Sequence, residues 1–121
     1  MSEILKTTAN VNNHKDLVVR LKLPLGLTEG TAGFSLRYVP DKRLLEHGSV
    51  CEYIHDQIKS AEDWENLIHI IQEDLINAIV PRWIEVGLWQ HTNQQEIQFS
   101  LQDKQPHWQN DFLLNNLSPL I

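Results

Sequence analysis

One cysteine, one methionine, five glycines and five prolines are all that this 121-residue chain holds of those types. A single thiol, Cys51, closes no internal disulfide and builds no thiolate zinc site by itself. Long apolar runs are missing as well. Without about 18 consecutive apolar residues no membrane-spanning helix is expected. The polar first fifteen residues lack the apolar stretch of a secretory signal, so a reducing, cytoplasmic setting is the expectation. Positive charge is scarce: 10 Lys and Arg stand against 16 Asp and Glu, a formal charge of −6. No basic cluster offers itself to a phosphate backbone, and no nucleic-acid partner is expected. Gly-x-Gly-x-x-Gly, Gly-x-x-x-x-Gly-Lys and Gly-x-Ser-x-Gly runs are absent. The six histidines show no His-Glu-x-x-His spacing, and no metal site is expected.

What the chain does have is 41% hydrophobic residues, enough for the core of one domain. Residues 1–15 carry no apolar period and read as a flexible arm. Residues 16–104 form the expected domain. From Leu17 the pattern alternates, with Leu17, Val19, Leu21 and Leu23 on one face, as in a half-buried strand. Pro24 is expected to stop this strand, and the glycines over 26–33 to form a loop. Phe34, Leu36 and Tyr38 alternate with Ser35 and Arg37 in a second strand, which Pro40 ends.

Two helices are expected next. Ser49 followed by Glu52 fits a capping box for a short helix over 50–58, and Ser60 followed by Asp63 fits one more weakly. The second helix, over 62–80, places Trp64, Leu67, Ile68, Ile71, Leu75, Ala78 and Ile79 on one stripe. Pro81 ends it. Ile84, Val86 and Leu88, then Ile97, Phe99 and Leu101, alternate in two further strands joined by a turn at 91–94. Residues 105–121 form a tail expected to pack on the domain or on a neighbouring subunit. The order ββααββ implies an α+β unit, a four-stranded antiparallel sheet with two helices on one face. Such a sheet has two open edges, and homo-oligomerisation through them is the expected protection. Trp83 and Trp89 lie on the outward strand face, where subunit packing would account for them.

The run Ser35 to Glu46, with Ser49 and Tyr53 following, and the run Asp74 to Val86, containing Pro81-Arg82-Trp83-Ile84-Glu85-Val86, together resemble a known family. It is the 7-cyano-7-deazaguanine reductases, the QueF-type nitrile reductases of queuosine biosynthesis. The resemblance extends from about Leu23 to Val86 and implies the tunnelling fold (T-fold), whose unit has the ββααββ order. It implies that Glu46 and Glu65 hold a deazapurine, since a carboxylate accepts two parallel hydrogen bonds from a guanine-like edge. Ser49 belongs to the same motif, and Trp64, beside Glu65, is placed to stack on a planar ring.

The resemblance also exposes departures. Leu23 stands before Pro24 where the family has its nucleophilic cysteine. Gly30 stands where it has its proton-donating aspartate, and Trp64 where it has its general-acid histidine. The family's cofactor motif carries two lysines suited to NADPH phosphates, whereas this chain reads Glu46-His47-Gly48-Ser49-Val50-Cys51. Leucine offers no nucleophile and glycine no proton. The expectation is therefore a catalytically disabled relative with no catalytic residues and no cofactor. It would be an oligomeric protein binding a purine, deazapurine or pterin-like ring, or a scaffold. The alternatives are a T-fold enzyme with different chemistry, drawing on His47, His55, Cys51 or Tyr53, and an atypical reductase. Cys51 falls at a cofactor-lysine position and reads as a structural thiol.

Overall fold

Alternating apolar side chains carry residues 19–25 and 31–39 into neighbouring strands of one sheet. The computed structural model describes residues 3–26 and 30–121. Its elements are β1 (Thr7–Ala9), β2 (Val19–Leu25), β3 (Thr31–Val39), β4 (Arg43–Leu45), α1 (His47–Ser60), α2 (Trp64–Ile79), β5 (Trp83–His91), β6 (Glu96–Lys104) and α3 (Asp111–Asn115). The main sheet is antiparallel throughout, in the order β2-β3-β5-β6. With α1 and α2 it makes the expected ββααββ unit. β1 and β4 form a separate two-stranded ribbon.

Register decides the two faces. Leu23 pairs with Phe34, Phe34 with Leu88, and Leu88 with Phe99. Leu21, Leu36, Val86 and Leu101 form the next row. These rows lie under the helices, where Val50, Tyr53, Ile54, Leu67, Ile71 and Leu75 complete the core. Burying so many large apolar side chains, at about 1.5–3 kcal/mol each, is the main drive to this packing.

The other face is also covered. Leu120 is 5% exposed and lies over Gly87, whose absent Cβ would sit 2.9 Å from the Leu120 Cδ2. Arg37 donates to the Ser118 carbonyl, and Arg20 donates to the Ser118 hydroxyl at 3.1 Å. The tail therefore packs on its own domain.

Five features differ from the sequence expectations. Pro24 does not end its strand: β2 runs to Leu25, which is buried. As an edge strand, β2 tolerates the missing N–H. Residues 7–9, expected within a flexible arm, pair with Arg43–Leu45, and Asn10 N–H donates to the Lys42 carbonyl at 2.9 Å. Their partner is distant in sequence, so local periodicity carries no sign of it. The glycine loop is shorter than expected, since β3 starts at Thr31; residues 27–29 of that loop, like residues 1–2 of the arm, lie outside the described residues.

The fourth difference is in the caps. Glu46, not Ser49, caps α1, accepting from Gly48 N–H at 3.0 Å. Asp63, not Ser60, caps α2, accepting from Asn66 N–H at 2.7 Å. Trp83 is corrected too: it is 3% exposed within one chain, with its Nε1–H donating to Gln102 at 3.2 Å. No second subunit is needed to account for it.

Candidate functional site

The two candidate carboxylates stand at the starts of the two long helices. Glu46 is exposed, and one of its oxygens is engaged by the Gly48 N–H of its own helix. Glu65 is exposed in the first turn of α2, where the helix dipole favours an anion. It lines an open groove of about 490 Å³ with His69 of the same helix and Gln98, Phe99 and Ser100 of β6. α1, about 21 Å from end to end, lies between the two glutamates. Glu46 is not among the residues of the Glu65 groove.

The neighbouring candidates have work within the chain. Ser49 is 4% exposed. Its hydroxyl donates to the Glu46 carbonyl at 2.7 Å and accepts from Lys6 N–H at 3.0 Å, so it ties α1 to the N-terminal segment. Trp64 is half-buried and packs against the core; it does not line the Glu65 groove. Cys51 and His55, one helical turn apart, place Sγ and Nδ1 3.6 Å from each other. Among the described residues no group of three or more His, Cys, Asp or Glu is arranged to hold a metal.

The positions at which the resemblance places catalytic groups have a physical reading of their own. Leu23 is half-buried on β2 and packs against the core. Gly30 holds φ at +86°, and a Cβ there would fall 2.0 Å from the His91 carbonyl oxygen. This backbone therefore has no room for an aspartate at position 30. At Gly48 a Cβ would meet the Glu46 carboxylate at 2.8 Å, so a lysine there competes with the cap itself.

Sequence reasoning missed three polar contacts, two of them buried. Arg37 Nε donates to Glu85 at 2.7 Å, with side chains 7% and 15% exposed, while its guanidinium stands over the Trp83 ring. Tyr53 OH donates to Asp74 at 2.5 Å, linking α1 to α2. Burial, then the hydrogen bond and charge of Asp74, push the Tyr53 phenol far above its ordinary value of 10.0. Asp16 gathers Arg82, Trp108 and Asn110. Burial raises the Asp16 carboxyl, but hydrogen bonds from Asn110, Trp108 and Arg82, with the Arg82 charge, outweigh it and hold the pKa below 3.8. Alternation and opposite charge were the available signals, but pairing register was needed to use them.

The chain is similar in sequence to proteins of known name. The "NADPH-dependent 7-cyano-7-deazaguanine reductase" of Alkaliphilus metalliredigens is 33% identical over 91 residues, covering 69% of this chain and 55% of the relative. The protein of that name from Bacillus licheniformis is 30% identical over a match of the same extent. This chain thus spans about half the length of these relatives. The protein of that name from Acidithiobacillus ferrooxidans is 27% identical over 124 residues, 96% of this chain and 88% of the relative. Among solved structures, an archaeosine synthase QueF-Like in the apo form superposes with a TM-score of 0.53 at 18% identity. That match covers 70% of this chain and 91% of the other, and shows the shared fold. A sequence model described as "QueF-like protein" matches residues 31–107, well over half of the chain. The chain belongs to the QueF-like family.

Proposed function

We propose that this chain is a QueF-like protein without nitrile reductase activity, which binds a planar heterocycle and assembles through its sheet edges. The observation that carries the reading is Gly30. At the position where the resemblance places a proton donor, the backbone excludes any side chain. Leu23 supports it, since a leucine packed on the core has no nucleophile to form a thioimide. Gly48 and Cys51 supply no cation for NADPH phosphates, so the reading includes no cofactor.

Glu65 is the ligand-binding residue favoured by this geometry. Its exposed carboxylate, the apolar floor of Ile68 and Phe99, and the polar Gln98 and Ser100 suit the edge of a purine, deazapurine or pterin. The groove lies on the outer strand β6, so a second chain pairing with that edge would close it. Glu46 would then contribute from another copy.

Incubation with NADPH and 7-cyano-7-deazaguanine, followed by nicotinamide absorbance, is expected to show no turnover; turnover overturns the disabled reading. A thermal-shift panel of purines, deazapurines and pterins is expected to raise Tm for at least one ring class in wild type and not in Glu65→Gln. If no compound raises Tm, the scaffold role stands instead. The Cys51–His55 contact favours a second reading, an enzyme of the same fold with acid–base chemistry on such a ring. Conversion of a panel compound that is abolished by Cys51→Ser would establish that reading over the first.

A further inference from the structure

Three hydrogen-bond donors with no partner among the described residues line one cavity on the sheet face that carries no helix. The cavity measures about 350 Å³. Lys22 enters it from β2, Ser35 from β3 and Trp89 from β5. Ser35 is 3% exposed, yet its hydroxyl makes no hydrogen bond with any described residue. The Lys22 ammonium and the Trp89 indole N–H likewise have no partner among the described residues. The two arginines of this face are committed. Arg37 is taken by Glu85 and the Ser118 carbonyl, and Arg20 by the Ser118 hydroxyl.

An ammonium and an indole N–H donate only, and a serine hydroxyl donates readily. The cavity is open to solvent on one side: Lys22 is exposed and Trp89 half-buried, while the almost fully buried Ser35 hydroxyl, left unpaired, costs free energy that an incoming acceptor restores. With one cation among the three, the fitting acceptor is an anion. Pro24 and Ile121 add apolar walls, and Leu23 and Phe34, whose side chains turn to the helix face, border the cavity along the strands. The indole lies flat on β3, held there because Gly33 has no Cβ: one would meet the ring at 2.5 Å. A ring-sized body with one charged end matches these walls, and the volume is near the lower end of the usual range for ligand pockets, about 300 Å³.

The geometry points to a binding site for a small aromatic carboxylate, held by Lys22, Ser35 and Trp89. The carboxylate meets the ammonium and hydroxyl, and the ring lies among Trp89, Pro24 and Ile121. This site is on the opposite face from the Glu65 groove and does not depend on it.

The test uses benzoate as the probe and its neutral isostere benzamide as the control. The full chain is titrated with each, following the indole N–H resonances by NMR, with that of Trp89 assigned through Trp89→Phe. Benzoate is expected to shift the Trp89 resonance saturably and benzamide to bind at least about tenfold more weakly. Lys22→Gln, at an exposed position, is expected to weaken benzoate by a similar factor, and Glu65→Gln to leave it unchanged. Absence of a saturable shift at millimolar benzoate overturns the proposal. So does equal binding of benzamide, or wild-type affinity in Lys22→Gln. Ser35→Ala is expected to weaken benzoate as well; should it fold poorly, the Lys22 variant and the benzamide control still decide the matter.

Discussion

At Gly30 the backbone is held at φ +86°, in the region that L side chains rarely adopt, and the His91 carbonyl closes the space a Cβ would take. Gly30→Ala is therefore expected to destabilise the fold by about 1–3 kcal/mol, read as a lower urea midpoint with unchanged m-value. Arg37 illustrates a different single-residue constraint. Its charge is almost fully buried and compensated by Glu85, so Arg37→Ala leaves a carboxylate stranded. The expected loss is about 3–5 kcal/mol, while Arg37→Met paired with Glu85→Leu recovers most of it. Equal denaturation midpoints for the single and double variants would refute the pairing argument. Neither constraint is written in local sequence. Gly30 reads as an ordinary loop glycine until the chain returns 61 residues later, at His91, and Arg37 reads as a solvated strand residue until the tail covers it.

At the level of elements, α1 is joined to α2 by one polar contact within an apolar interface, the Tyr53–Asp74 hydrogen bond. The phenol keeps its proton in the folded state well above 10, whereas in the unfolded chain it ionises near 10. Above that pH the unfolded state therefore binds fewer protons than the native one, and stability falls as pH rises. The slope from this residue is about 1.4 kcal/mol per pH unit. Tyr38, also buried and raised, adds to the alkaline loss. Tyr53→Phe is expected to lower stability at pH 7 by about 1–3 kcal/mol, because Asp74 loses its donor, and to flatten the decline between pH 10 and 11. An alkaline slope unchanged in this variant would remove Tyr53 as its source. The elements themselves were legible from period alone, because four strands and two helices each have one buried face. The helix starts were less so. Several residues near each start have capping side chains, and the choice of Glu46 over Ser49 depends on Lys6 occupying the Ser49 hydroxyl.

Over the whole molecule, Asp16 clasps the beginning and the end of the chain together. It accepts from Trp108 and Asn110 of the tail, and Arg82 ties it to Asp41 as well as to the carbonyls of Asn13 and Lys15. Its carboxyl is depressed in the folded state, so the stability it contributes is present above pH 3.8 and is lost as pH falls through the lower folded value. Urea titrations from pH 6 to pH 2 are expected to show Asp16→Asn less stable at neutral pH but with a shallower acid decline. The proposed assembly belongs to this scale too. β2 and β6 are the outer strands of the main sheet, and if they pair between copies, light scattering gives a mass above 14.1 kDa. Pro substituted at Gln98, on the β6 edge, is expected to return the chain to monomer. A monodisperse monomer of the wild type at micromolar concentration would dispose of edge pairing.

The amino-acid sequence by itself determined the order of elements, the apolar faces of the sheet and long helix, and the family motifs. These depend on side-chain period and on short runs of neighbouring residues. The proposed reading rests on residue chemistry as well: Leu23 carries no nucleophile and Gly30 no proton donor in any fold. Only the tertiary structure decided why Gly30 admits no replacement, how Ser49 spends its hydroxyl, and that Lys22, Ser35 and Trp89 have no partner among the described residues. Each of those rests on contacts between segments far apart in the chain. They are set by strand register and by the tail closing the second face of the sheet, and local pattern carries neither. The scarce cysteine, too, has its surroundings set by the fold: the one thiol sits on α1, one turn from His55, with Sγ 3.6 Å from Nδ1.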